Sequence, residues 1–314
     1  VGLVAELIAD GGAAASSAGD FFRSRGFLAA EGTTHTLRLP AEPGPTSVPL
    51  IVREIEGAPE LDASSPYGYP GASVTGDDAP PDPAAIDWSA TGLVSVFGRE
   101  RLDGREWVAG ARTLSEVQMH DPTAPRRIRT RLIEQIRANA RDGWTVETIA
   151  GPDSSALQRD AFAAGYAQTM QRAGAAERYF FERPYFDAAL DFERSWLVAC
   201  QRRGALGAAA IAAVSDGMLH YFLGGTADCA RSDSPFKNVV AAMLDLADEL
   251  GMPLNLGGGV QPGDGLERFK RGFANATRDF RVHELICDAE AYARLSSGRE
   301  TGATGAWFPA YRAP

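Results

Sequence analysis

Near its C-terminus the chain reads LGGGVQPGDGLERFKRGF, from Leu256 to Phe273. Three glycines follow an apolar segment, a Gly/Pro/Asp turn comes next, and Lys270 stands in the short amphipathic stretch after it. The chain has 31 lysines and arginines, yet only Lys237 and Lys270 are lysines. Glycines let a ligand approach the backbone closely, and lysine is a compact point charge on a flexible stem, unlike the planar fork of arginine. That pairing suits a cation set against an anion or a developing oxyanion. A solvated surface charge is the alternative for Lys270. Arg268 and Arg271 flank it and are candidates for the same acidic partner.

Other chemistries find less support. His35, His120, His220 and His283 are scattered, as are Cys200, Cys229 and Cys287. No CxxC occurs and no His/Cys/carboxylate cluster has metal-ligand spacing, so no metal is expected. There is no GxSxG elbow for a seryl nucleophile. The net charge of −10 argues against a general polyanion binder, although a local basic groove is compatible with it, because phosphate binding depends on nearby charges.

The elements that must position Lys270 form a recognisable order. MPLNLGGG reads as a strand that ends at the glycines, and RDFRVHELICD as the last strand. Before them, SPFKNVVAAMLDLADELG is a helix with Ser234 as N-cap, Pro235 at N1 and Gly251 as its stop. Lys237 falls in its first turn, where the macrodipole disfavours a cation. It suits phosphate neutralisation or a plain surface position. Upstream, SWLVACQ and GALGAAAIAAV form a hairpin around Arg202–Gly204, and Ser215–Gly217 turns the chain into MLHYFLGGT. In that strand His220 and Tyr221 point to opposite faces.

In the first half, THTLRLP and SVPLIVREIEG read as strands, and SPYGYPGASV as an ordered loop. In RRIRTRLIEQIRANARDG, Ile128, Leu132, Ile133, Ile136 and Ala140 share one helical face. Arg127, Arg129, Arg131, Arg137 and Arg141 fill much of the rest, as a solvated face or a phosphate-facing one. With 45% apolar and 23% charged residues the composition is that of a soluble globular protein. No apolar run reaches the roughly 18 residues of a membrane span, no secretory pattern is seen, and a cytoplasmic location is expected. GGAAASSAG at Gly11–Gly19 predicts a linker or the remnant of an upstream domain over 1–19, leaving room for a fused upstream enzyme domain. Units over 20–150 and 151–296 and a tail over 297–314 follow. The expected fold class is α+β with a mixed sheet.

HYFLGGT, SPFKNVVAAMLDLADELG, LNLGGGV and GDGLERFKRGF occur in this order, and the ordered set resembles the second lobe of the Fem-like aminoacyl transferases. SPYGYPGA, GLVSVFGRERL, RIRTRLIEQIRANARDGWTV, FAAGYAQTM and YFFERPYF resemble family blocks of the first half. The resemblance covers about Asp20 to Leu295. It implies two tandem lobes of acyltransferase (GNAT) fold, the first on the acceptor side and the second on the donor side.

The activity implied by the resemblance is transfer of an aminoacyl group from aminoacyl-tRNA to the amine of a small-molecule or peptide acceptor. No cofactor beyond that co-substrate is implied. Lys270 matches the catalytic lysine and Phe269 its neighbour at the terminal nucleotide, with core packing the alternative for Phe269. Tyr221 and the loop Tyr67, Gly68, Tyr69 match substrate-binding blocks, with core and loop packing as their alternatives. Lys237, Arg268, Arg271, Arg127 and Arg131 are the expected tRNA contacts. No heptad insertion for a coiled-coil arm is seen, which favours natural-product peptide assembly, such as a dehydrophos-type leucyl transfer domain, over a peptidoglycan-precursor enzyme. The other alternative, an acyl-CoA N-acyltransferase, needs a glycine-rich pyrophosphate loop. ADCARSDSPFKNVV has Arg231 but no glycines.

Overall fold

The computed structural model describes residues 2–42, 44–76, 79–297 and 307–313. The chain divides into two compact units. Unit 1 comprises residues 1–18, 22–114 and 280–314, and unit 2 residues 19–21 and 115–279.

Unit 1 holds β1 (Leu3–Val4), β2 (Glu6–Ile8), α1 (Arg25–Ala30), β3 (His35–Leu39), β4 (Thr46–Glu54), β5 (Leu61–Ser64), β6 (Ile86–Asp87) and β7 (Leu93–Arg99). β2, β3, β4 and β5 pair antiparallel in sequence order, and β5 pairs parallel with β7. Leu37, Leu39, Val48, Leu50, Val96 and Trp107 fill the core on this sheet.

β8 (Arg112–His120) leads into unit 2, followed by α2 (Thr130–Arg141), β9 (Thr145–Ala150), α3 (Ala156–Ala173), α4 (Arg183–Leu190), β10 (Ser195–Arg202), β11 (Ala205–Ser215), β12 (Met218–Thr226), α5 (Phe236–Leu250), β13 (Leu254–Gly257) and α6 (Gly265–Arg271). Its strand order is β8-β13-β12-β11-β10-β9. Only the β12–β13 pair is parallel. β11 is rich in alanine and is buried from Gly207 to Ser215, as expected of a central strand covered on both faces. α5 packs Val239, Val240, Met243, Leu244 and Ala247 onto one face of the sheet. On α3's side, a Cβ at Gly225 would lie 2.5 Å from the Tyr166 backbone nitrogen, so helix and strand approach at backbone distance. β14 (Ala276–Ile286) and α7 (Ala289–Ser296) then return the chain to unit 1, where β14 pairs antiparallel with β7.

Three expectations are corrected. Residues 1–19 are not a linker over their described part. β2 pairs with β3, and Asp10 organises the alanine-rich stretch by accepting from the N–H groups of Gly12 and Ala14 and from the Thr36 hydroxyl. The boundary expected at 150/151 falls at 114/115, inside β8, so α2 and β9 belong to unit 2. The expected tail over 297–314 packs into unit 1 over residues 307–313. Tyr311 is buried, and it and Arg312 both donate to Asp62, which is fully buried and also receives Arg53. Residues 298–306 of that tail lie outside the described residues.

Candidate functional site

β12 and β13 are paired only at Leu219 with Leu254 and His220 with Asn255. Beyond that register β12 continues to Thr226 along β11 alone, and β13 ends at Gly257. Two parallel strands that stop pairing leave a wedge of backbone into which side chains from elsewhere can reach. The wedge of unit 2 receives Lys270.

Lys270 lies in the last turn of α6 and is only 9% exposed. Its Nζ donates to the Gly258 carbonyl at 2.8 Å and stands 5.5 Å from the centre of the Tyr221 ring. Tyr221, Phe236, Phe269 and Phe273 form a row of rings at successive centroid distances of 5.7, 6.3 and 5.3 Å. Burial pushes the lysine pKa down from 10.5 to about 8, against the opposing pull of Asp264. An amine so placed is mostly charged at neutrality and loses its proton just above it.

One glycine of the triplet, Gly257, is explained by this lysine. Gly257 has φ 78°, and a Cβ there would lie 2.9 Å from Nζ. A side chain at 257 is therefore excluded both by the backbone conformation and by Lys270 itself. The loop that follows is held by Asp264, the N-cap of α6. Its carboxylate accepts from the N–H groups of Val260, Gln261 and Glu267. The bond from Gln261 leads in lowering its pKa. Asp264 thus caps rather than facing a reacting group.

The expected site residues now have places. Phe269 and Tyr221 line the lysine's surroundings, and Phe269 also packs against the core. On the same β12 strand His220 is buried on the opposite face. Arg268 donates to the Gly263 carbonyl, and Arg271 pairs with Glu267. The start of α2 adjoins the end of α6, because the Arg129 N–H and guanidinium donate to the carbonyls of Gly272 and Arg268. Arg127 and Arg131, both exposed, therefore border the same seam as Arg268 and Arg271.

Lys237 is half-buried in the first turn of α5, and burial lowers its pKa. Ser234 does not cap that helix. It takes φ 51°, its hydroxyl turns back to the Arg231 carbonyl, and Pro235 occupies the cap position. Tyr67, Gly68 and Tyr69 belong to unit 1. Tyr67 is exposed and its N–H donates to Glu31, Gly68 has φ 87° with Phe22 where a Cβ would be, and Tyr69 packs edge-on to Phe22 and Phe280.

Sequence reasoning missed two polar groupings in unit 2. Asn255, fully buried, bonds both His220 and the Gly257 N–H. Its one signal is an amide within the otherwise apolar LNL. His120 bonds Asp248 at 2.7 Å, and Arg126 bridges Asp248 and Asp245. Among the described residues no three His, Cys, Asp or Glu side chains group as metal ligands, and no helix is long and apolar enough to cross a membrane.

No family model matches this sequence, and no curated protein matches it. Solved structures do. FemX is similar with a TM-score of 0.59 and 11% identity, over 83% of this chain and 89% of its own. L-PGS from Bacillus licheniformis is similar with a TM-score of 0.60 and 13% identity, over 84% of this chain and 87% of its own. A C-terminal DUF2156 domain from Agrobacterium fabrum is similar with a TM-score of 0.57 and 15% identity, over 89% of each chain. The likeness is one of fold, α+β with a mixed sheet.

Proposed function

We propose that this chain transfers an aminoacyl group from aminoacyl-tRNA to an amine, forming an amide, with Lys270 at the reacting ester. The observation that carries the reading is a buried lysine in the wedge between β12 and β13, set against a glycine backbone and an aromatic face. The likeness of fold to FemX supports it.

The amine nitrogen attacks the ester carbonyl carbon, and the carbonyl oxygen takes the charge of a tetrahedral intermediate. The C–N bond is then complete, the bond to the ribose oxygen breaks, that oxygen takes a proton, and the attacking nitrogen loses one. Protonated Lys270 stabilises the oxyanion and can supply the proton to the ribose oxygen. A charge in a dry, aromatic setting acts more strongly than in water, and losing one such donor costs about 3 kcal/mol of transition-state stabilisation. Phe269 and Tyr221 offer faces to the terminal base and the aminoacyl group. Arg127, Arg131, Arg268 and Arg271 on the α2–α6 seam, with Lys237, are the phosphate contacts of this reading. The glycine-free segment before α5 supports tRNA over acyl-CoA as donor. The acceptor amine belongs to a small molecule or a peptide.

The test is incubation of the protein with a labelled aminoacyl-tRNA pool and candidate amines, with and without RNase. RNase-sensitive amide formation is expected. Product formed only with acyl-CoA and insensitive to RNase overturns the reading.

A further inference from the structure

His220 and Asn255 face each other across the single parallel pair of unit 2. Both are about 1% exposed or less. The Asn255 amide donates its Nδ2–H to His220 Nδ1 at 3.2 Å, which makes Nδ1 the bare nitrogen. The Nε2–H then donates to the Ser215 carbonyl at 3.3 Å. This places the Asn255 carbonyl oxygen toward the chain beyond it, where it accepts the Gly257 N–H at 2.8 Å. The β13–β8 register shifts between Asn255 and Gly257, leaving Leu256 as an extra residue. Such a bulge bends its strand. Just past the bend, the Gly258 carbonyl accepts from Lys270.

We propose that His220 and Asn255 are positioning residues for Lys270: through the Gly257 N–H they hold the bulge that presents the Gly258 carbonyl to Nζ. Four hydrogen bonds run in one direction, from Ser215 through His220, Asn255 and Gly257–Gly258 to the ammonium group. Each side chain in the relay has one donor and one acceptor committed, so a reversed amide or the other imidazole tautomer breaks two bonds at once. Burial pushes the His220 pKa down to about 4, so the ring keeps one protonation state across the neutral range. The charged group whose field acts on Lys270 is Asp264, held by its own cap bonds, which the relay does not touch. The catalytic meaning of the relay rests on the reading of Lys270 given above. Its positional claim does not.

The test uses the full chain and no tRNA. In the wild type, nitrogen NMR of His220 is expected to show bare Nδ1 and protonated Nε2, with no titration between pH 5 and 8. The Gly257 amide is expected to exchange slowly. The opposite tautomer, a titration in that range or fast exchange of Gly257 overturns the proposal. The pH midpoint for acylation of Lys270 by a small activated ester, read by mass spectrometry, is then compared among variants. Asn255→Leu and His220→Phe are expected to lower it by about one unit or more, because the displaced Gly258 carbonyl no longer favours the charged amine. His220→Gln, which keeps a donor and an acceptor, stays near the wild type. An unmoved midpoint in folded Asn255→Leu overturns the proposal, and if that variant does not fold the wild-type measurements decide. Absence of aminoacyl transfer would remove the functional reading and leave these outcomes intact. Normal transfer with an unmoved midpoint would remove only this inference.

Discussion

The Nζ of Lys270 lies 2.8 Å from the carbonyl oxygen of Gly258, twelve positions earlier in the chain, and the neighbouring Gly257 leaves it the space to do so. A residue before the turn and a residue after it thus define one another's conformation. A cation kept in a nearly dry place lowers stability, so a functional reason for it is testable by removing the charge.

Lys270→Met keeps the stem and removes the charge. The folded pKa of about 8 lies below the ordinary 10.5, so the unfolded chain binds more protons between those values and stability rises with pH across that window. Below pH 8 the cost of the buried charge is fully present. The variant should gain about 1–3 kcal/mol over the wild type at pH 7, and the gain should fade between pH 8 and 10.5. Urea unfolding at pH 7 and pH 10 measures it. Turnover in the same variant should fall about a hundredfold or more.

The pH dependence of kcat/KM should carry a descending limb near pH 8, where Lys270 loses its proton. Lys270→Arg should lower the rate and move that limb beyond pH 10, because guanidinium does not deprotonate in this range. A limb that stays at pH 8 in the arginine variant belongs to another group.

Arg127→Ala and Arg131→Ala should each weaken aminoacyl-tRNA binding and flatten the plot of log K against log salt by about one for each phosphate no longer neutralised. The rate at saturating tRNA should hold. Filter binding between 50 and 300 mM salt, roughly the range where counterion release is measurable, tests this. A slope identical to the wild type would take these two arginines out of the interface.

Arg312→Ala removes two hydrogen bonds from Asp62, a carboxylate with no exposure. Arg53 and the Tyr311 hydroxyl remain, so unfolding should be only partly eased, by about 1–3 kcal/mol. Asp62→Asn should lose a similar amount. A thermal melt unchanged in both variants would show that the C-terminal residues contribute nothing to unit 1.

Rarity and glycine context single out Lys270 within a short stretch, and the role proposed for it comes from the resemblance of the ordered blocks. The roles of Phe269 and Tyr221 come from the same resemblance, and both rings pack against the core. His220 and Asn255 were not legible in the sequence, since nothing in either segment says that they face each other. That follows from a parallel pairing of strands separated by a whole helix. The boundary between the units was hidden for another reason. It falls within RTLSEVQMH, an uninterrupted strand with no proline or glycine to mark a break. The N-terminal segment misled because small, polar composition suggests a linker, while Asp10 and the pairing of β2 with β3 impose order from a distance. Ser234 followed the capping pattern by type, but its left-handed conformation sends the hydroxyl backwards.

Unit 2 is almost wholly a continuous span, 115–279, set inside the sequence of unit 1, which needs residues on both sides of it. On a ribosome, the strands and helices that build the Lys270 wedge all emerge before β14 and the residues that reach Asp62. Domains fold as their chains become available. The lysine's surroundings can therefore form while the sheet of unit 1 still waits for its last strand, and a stall between residues 280 and 314 would leave β7 as an open edge.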